Sequence, residues 1–115
     1  MSELEILSVR NNKLDHIPEN VSKLVALKTL DMQHNNVARL PPIRDLRQLE
    51  ILDVQYNKIA ELPDGLGNLK QLKHLHLKYN QLKELPSEVG TLSNLEELDL
   101  EGNRLTALPD TLNAL

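Results

Sequence analysis

The chain has 115 residues, enough for one domain and too few for two. Hydrophobic residues make up 40% and charged ones 26%, and 13 Lys+Arg stand against 17 Asp+Glu for a net charge of −4. That make-up belongs to a globular chain, not a disordered one, and gives no general attraction for nucleic-acid backbones or anionic lipid. The absence of cysteine excludes disulfides, thiolate metal sites and a cysteine nucleophile.

The apolar share is 26 leucines and only two aromatics, Tyr56 and Tyr79. One aliphatic shape fills an interior to normal density only in a regular geometry, so this composition points to a repeat. The repeat begins at Leu4, Leu27, Leu49, Leu72 and Leu95, giving units 4–26, 27–48, 49–71, 72–94 and 95–115. Each unit carries seven aliphatic positions, and every leucine of the chain falls on one of them. The third unit shows the pattern: Leu49-x-x-Leu52-x-Val54, then Asn57, Ile59, Leu62-Pro63, Leu66 and Leu69.

In chain order, the opening L-x-x-L-x-L of each unit alternates apolar and polar residues, the period of a short strand with its leucines turned inward. Stacked side by side, these strands form a parallel sheet. Next come Asn12, Asn35, Asn57, Asn80 and Asn103, placed where the chain turns off the strand. A buried amide there is expected to satisfy backbone groups of its own loop and the next. Pro18, Pro41, Pro63, Pro86 and Pro109 follow. Each lacks an N–H and restricts its predecessor, so each ends a ladder and starts a turn. The remaining residues have room for one or two helical turns. Unit two, with Pro41-Pro42-Ile43, is one residue shorter, which predicts a tightened outer turn and an unchanged strand.

These units resemble the leucine-rich repeat family, whose pattern is L-x-x-L-x-L-x-x-N-x-L. Their second half, L-P-x-x-L-x-x-L, is similar to the Ras-suppressor and Scribble-type intracellular subclass. The resemblance implies an α/β repeat fold: a right-handed solenoid with a concave parallel β-sheet and short helical or 3-10 turns and extended segments on the convex side. It also implies a cytoplasmic protein-interaction module in signalling or scaffolding, with another protein or peptide as partner and a small GTPase or phosphatase among the candidates. The other reading is a structural segment of a longer receptor, ligase or kinase, or a consensus-like designed array without its own ligand.

Enzyme motifs are missing. Gly65-Leu66-Gly67 opens like a dinucleotide loop, but Lys70 stands where a third glycine would be. The expectation is therefore no enzyme and no cofactor. No apolar run reaches the roughly 20 residues of a membrane span, and the N-terminal residues lack the basic and apolar regions of a signal peptide.

Function is then expected on the positions that the leucines leave free, which line the concave face. The first column reads Ile6, Thr29, Ile51, His74, Glu97, and the second Ser8, Asp31, Asp53, His76, Asp99. The third reads Arg10, Gln33, Gln55, Lys78, Glu101, and the column before the asparagines Asn11, His34, Tyr56, Tyr79, Gly102. The partner-binding set drawn from them is Asp31, Ile51, Asp53, Tyr56, His74, His76, Lys78, Tyr79, Glu97, Asp99 and Glu101. Tyr56 and Tyr79 offer large contact area with a polar tip at small entropic cost, and Ile51 beside them extends an apolar patch. Glu97, Asp99 and Glu101 make an acidic edge suited to a basic segment. His74 and His76 share a strand face near carboxylates, but with no second shell evident in the sequence no metal is assigned. No end caps are evident, and the all-leucine fifth unit predicts either self-association through that end or fraying there.

Overall fold

The computed structural model describes residues 3–106 and residue 108. Five three-residue strands form one parallel sheet in chain order: β1 (Ile6–Ser8), β2 (Thr29–Asp31), β3 (Ile51–Asp53), β4 (His74–His76) and β5 (Glu97–Asp99). Register is constant, with Leu7, Leu30, Leu52, Leu75 and Leu98 forming one row. These middle residues point inward, and Leu30, Leu52 and Leu75 are fully buried. Side chains alternate across a strand, so the residue on either side of each leucine faces out onto the concave surface. The result is the leucine-lined solenoid that the repeat pattern predicts.

Opposite the sheet, the coils close through short 3-10 turns at Glu19–Lys23, Leu66–Asn68 and Ser87–Thr91. Each of the first four coils shares one turn bond: the backbone N–H of Leu24, Leu46, Leu69 and Leu92 donates to the carbonyl three residues earlier. Coils one and four hold a further bond, from Val21 to Pro18 and from Val89 to Pro86. In the second coil, one residue shorter, the bond from the Leu46 N–H to the Ile43 carbonyl closes the turn directly, and β3 keeps its register. The tightening is thus absorbed away from the sheet.

The asparagine ladder is regular in its chemistry. Asn57 Nδ2 donates to the carbonyls of Met32, Val54 and Gln55 at 2.8, 3.0 and 3.2 Å, and its Oδ1 accepts the Val37 N–H at 3.1 Å. Asn80 repeats this with Val54, Leu77, Lys78 and Ile59, and Asn35 and Asn103 bond in the same way. The link runs to the preceding coil, whereas the sequence reading placed it toward the next. The reason lies in the backbone: Met32 and Val54 donate their own N–H groups forward, to Asp53 and His76, as the strand ladder ends. Their carbonyls are left facing amides instead, and Met32 O takes one from Asn35 at 3.1 Å and one from Asn57 at 2.8 Å. Asn12 differs. Its side chain is exposed, and it joins the ladder through its backbone N–H, which donates to Asn35 Oδ1 at 3.1 Å.

The core runs from Ile17 to Leu92, and the aliphatic positions of coils three and four are fully buried with few exceptions. Leucines of the outer coils, Leu4, Leu7, Leu95, Leu98 and Leu100 among them, are partly exposed. The expected self-association through residues 95–115 rests in part on Leu112 and Leu115, which lie outside the described residues, as does Pro109. Among the described residues no helix is long and apolar enough to cross a membrane.

Candidate interaction face

The strand register sets the outward columns side by side as the repeat pattern implies: Ile6, Thr29, Ile51, His74 and Glu97 in one row, Ser8, Asp31, Asp53, His76 and Asp99 in the next. What the register could not show is how these side chains use each other. Asp31 is 7% exposed and held by Arg10, whose Nε donates to Oδ2 at 2.6 Å, and by the Gln33 N–H at 3.2 Å. Asp53 is half-buried and accepts from Gln55 through the backbone N–H and through Nε2, at 3.2 and 2.9 Å. Neither is a free anion awaiting a partner. Ile51 is half-buried between Thr29 and His74 in its row, while Ile6, in the same row, is 65% exposed.

At the other end the imidazoles and carboxylates pair. His74 Nδ1 lies 3.0 Å from Glu97 Oε1, and His76 Nδ1 lies 2.7 Å from Asp99 Oδ2. Lys78 Nζ stands 3.8 Å from Glu101 Oε2, so the acidic edge formed by Glu97, Asp99 and Glu101 carries its counter-groups on the neighbouring strand and loop. One column outside the leucines, Glu5 pairs with Lys28 at 3.6 Å and Glu50 with Lys73 at 4.0 Å. These are exposed pairs, worth tenths of a kcal/mol each, and they favour register and solubility.

The column before the asparagines is the most distinctive feature. Asn11, His34, Tyr56 and Tyr79 all have positive φ, between 56° and 59°, and Gly102 has φ 76°. Left-handed backbone is unfavourable for bulky side chains and persists only where the surroundings fix it. Here the fixing is visible: the N–H of each donates to the next coil, His34 to Gln55, Tyr56 to Lys78 and Tyr79 to Glu101. Held this way, the rings stack. The His34 and Tyr56 centroids are 4.3 Å apart at 9°, and those of Tyr56 and Tyr79 4.8 Å apart at 15°. Both tyrosines are 43% exposed, so the stack presents an edge along the rim of the face.

Tyr79 also reaches Glu101, its hydroxyl donating to Oε1 at 3.4 Å. The nearby Glu101 carboxylate, and to a lesser degree desolvation, push the Tyr79 phenol above its ordinary value. Away from the face, a hydrogen bond to His16 holds the Asp15 carboxyl below its usual range. Among the face residues outside the site set read in the sequence, Arg10 and Gln55 hold Asp31 and Asp53, His34 joins the ring stack and Ile6 is exposed. His34 shares its repeat position with Tyr56 and Tyr79, and that positional match was the available signal. Ile6 sits in the same column as Ile51, but its exposure depends on having only one neighbouring strand.

A solenoid of leucine coils with a continuous, side-chain-rich sheet face is a repeat architecture. The family descriptions "Leucine rich repeat" and "Leucine-rich repeat region" match residues 47–105 and 1–75, and the chain belongs to the leucine-rich repeat family. The chain is similar to the solved leucine-rich-repeat protein of Leptospira interrogans, with 33% identity and a TM-score of 0.94, covering 99% of this chain and 29% of that one. It is also similar to a chain of the BIR3–SERK2 complex from Arabidopsis thaliana, with 28% identity and a TM-score of 0.80, covering 95% and 62%. A functional domain of InlJ from Listeria monocytogenes gives 29% identity and a TM-score of 0.83, over 97% of this chain and 24% of that one. This chain therefore spans only part of each. Leucine-rich repeat domains generally mediate protein–protein interaction, and are typically not enzymes.

Proposed function

We propose that the protein binds another protein or a peptide on its concave face, with the His34–Tyr56–Tyr79 edge as anchor, Ile51 as an apolar extension of it, and the adjacent His74, His76, Lys78, Glu97, Asp99 and Glu101 as the polar surround. The observation that carries this reading is the stack itself: three rings held in left-handed backbone, half in solvent, in line along one rim. Pre-ordered aromatic area at small entropic cost is what interface anchors provide. Similarity to a chain of the BIR3–SERK2 complex supports a role in assembly. The Ras-suppressor and Scribble-like form of the units supports an intracellular scaffolding role, with small GTPases and phosphatases as partner classes to try first.

Size sets the affinity. Four spacings of about 4.8 Å and about 17 Å along the strands give a sheet patch of about 300 Å². A standard interface covers about 800 Å² per partner, so this face alone supports micromolar binding. The test is to select displayed peptides on the parent chain and measure them against the double substitution Tyr56→Ala, Tyr79→Ala. Loss of about 2 kcal/mol, or about 30-fold, with unchanged folding is expected. Equal affinity for both proteins would reject the reading.

A second reading concerns the outer coils. Their leucines are partly exposed, and this chain covers 29% of its Leptospira counterpart. Further coils, or a second copy of this chain, would bury that surface.

A further inference from the structure

We infer that His74, His76 and Glu97 form a three-ligand site for a divalent ion of the zinc class, with Asp99 orienting His76 behind it. Glu97 Oε1 lies 3.0 Å from His74 Nδ1 and 3.5 Å from His76 Nε2, and the three donor atoms all lie within 4.8 Å of one another. Tetrahedral zinc with N and O ligands at about 2.0–2.1 Å holds its donors about 3.3 Å apart, so the observed separations bracket what such an ion requires. Two imidazoles and one carboxylate are also the donor set of many zinc centres that keep a fourth position open.

The strand explains the placement. Residues two apart share a face, so His74 and His76 both project from β4, and Glu97 is the register partner of His74 on β5. Their rings lie nearly parallel, 5° apart with centroids 6.0 Å apart. The support that the sequence could not display is Asp99. His76 faces Glu97 with Nε2 and Asp99 with Nδ1, the latter at 2.7 Å, and the His76 side chain is only 18% exposed. A carboxylate on the far nitrogen fixes the tautomer and ring angle of a ligating histidine and raises its basicity. Nearby competitors are engaged elsewhere, Asp53 by Gln55 and Lys78 by Glu101. An ion would take the place of the hydrogen bond between His74 Nδ1 and Glu97 Oε1. Glu97 and His74 remain 49% and 33% exposed, so the open position faces out of the sheet, where water or a donor from a bound protein completes the shell.

The site is separate from the aromatic edge, and its test does not depend on a partner. The chelator-treated 115-residue chain is titrated with Zn²⁺ by calorimetry, with histidine resonances followed by NMR. One equivalent should bind, shifting the imidazole signals of His74 and His76 and leaving that of His16 in place. His74→Gln and His76→Gln should each weaken binding at least about tenfold, and Asp99→Asn by about 10- to 100-fold, with folded spectra retained. His16→Ala should match the parent. Binding only at millimolar Zn²⁺, or unaltered binding in the His74→Gln, His76→Gln double variant, would overturn the site. Unaltered binding in Asp99→Asn would overturn the orienting role.

Discussion

Gly102 lies directly against the ring of Tyr79: a Cβ built at residue 102 would stand 2.8 Å from Cε1 and 2.9 Å from Cγ. Glycine is required here twice, by this approach and by its φ of 76°. The aromatic stack thus ends on bare backbone. Gly102→Ala should lose about 1–2 kcal/mol of stability from the left-handed backbone alone and tilt Tyr79 out of its stack. Near-ultraviolet circular dichroism would show the tyrosine signal change. Gly67→Ala, which meets only the side chains of Glu88 and Thr91, should leave that signal intact. An undisturbed tyrosine spectrum in Gly102→Ala would mean that the ring is not seated on residue 102.

The ladder asparagines differ in what they support. Asn57→Ala removes donors to Met32 and Val54 and strands the buried Val37 N–H. Unsatisfied buried groups of this kind each cost about 1–3 kcal/mol, so a loss of about 3 kcal/mol is expected. Asn12→Ala exposes nothing new and should fall within about 0.5 kcal/mol of the parent. Urea denaturation compares the two. Equal losses would show that the repeat position itself, and not its bonding, sets the energy.

The fold was legible because one apolar period recurs without a polar interruption, and a one-residue slip would have turned Leu30, Leu52 and Leu75 to solvent. The face was legible only as columns. Periodicity says that Asp31 and Arg10 stand on neighbouring strands, but not that Arg10 swings back to cover Asp31, since rotamers carry no sequence period. His34 was passed over because an imidazole between Asn11 and Tyr56 looks like a polar turn residue until the left-handed backbone aligns the rings. Asp99 was read as part of an acidic edge, and its place behind His76 emerges only from the side-chain geometry. The direction of the asparagine link was likewise hidden, since both neighbouring coils carry the same carbonyls.

Tyr79 supplies a pH-dependent observable. Its phenol is raised first by the Glu101 charge, so Glu101→Gln should return it toward the ordinary tyrosine range in an ultraviolet titration. A raised acid favours its protonated form in the folded chain. The corresponding stability is therefore present below the unfolded phenol range and is lost as pH rises through the folded one. Because the ring is solvent-exposed, the readout is the titration midpoint and not the unfolding curve. An unmoved midpoint in Glu101→Gln would remove Glu101 as the cause.

Burial along the solenoid is graded, and stability should follow it. Leu75 is fully buried between coils on both sides, whereas Leu7 is partly exposed with one neighbouring strand. Each coil contacts only its neighbours, so a cavity at Leu75 weakens two inter-coil surfaces and one at Leu7 weakens a single one. Leu75→Ala should cost about 3–5 kcal/mol, within the range for truncating a buried leucine. Leu7→Ala should cost about 1–2 kcal/mol, since part of its surface is already in water. Hydrogen exchange would separate the two further: in Leu75→Ala the amides of β3 and β5 should both lose protection, and in Leu7→Ala the loss should stop at β2. Equal destabilisation, or protection lost uniformly in both variants, would show that the coils unfold as one unit and that position along the stack carries no energetic weight.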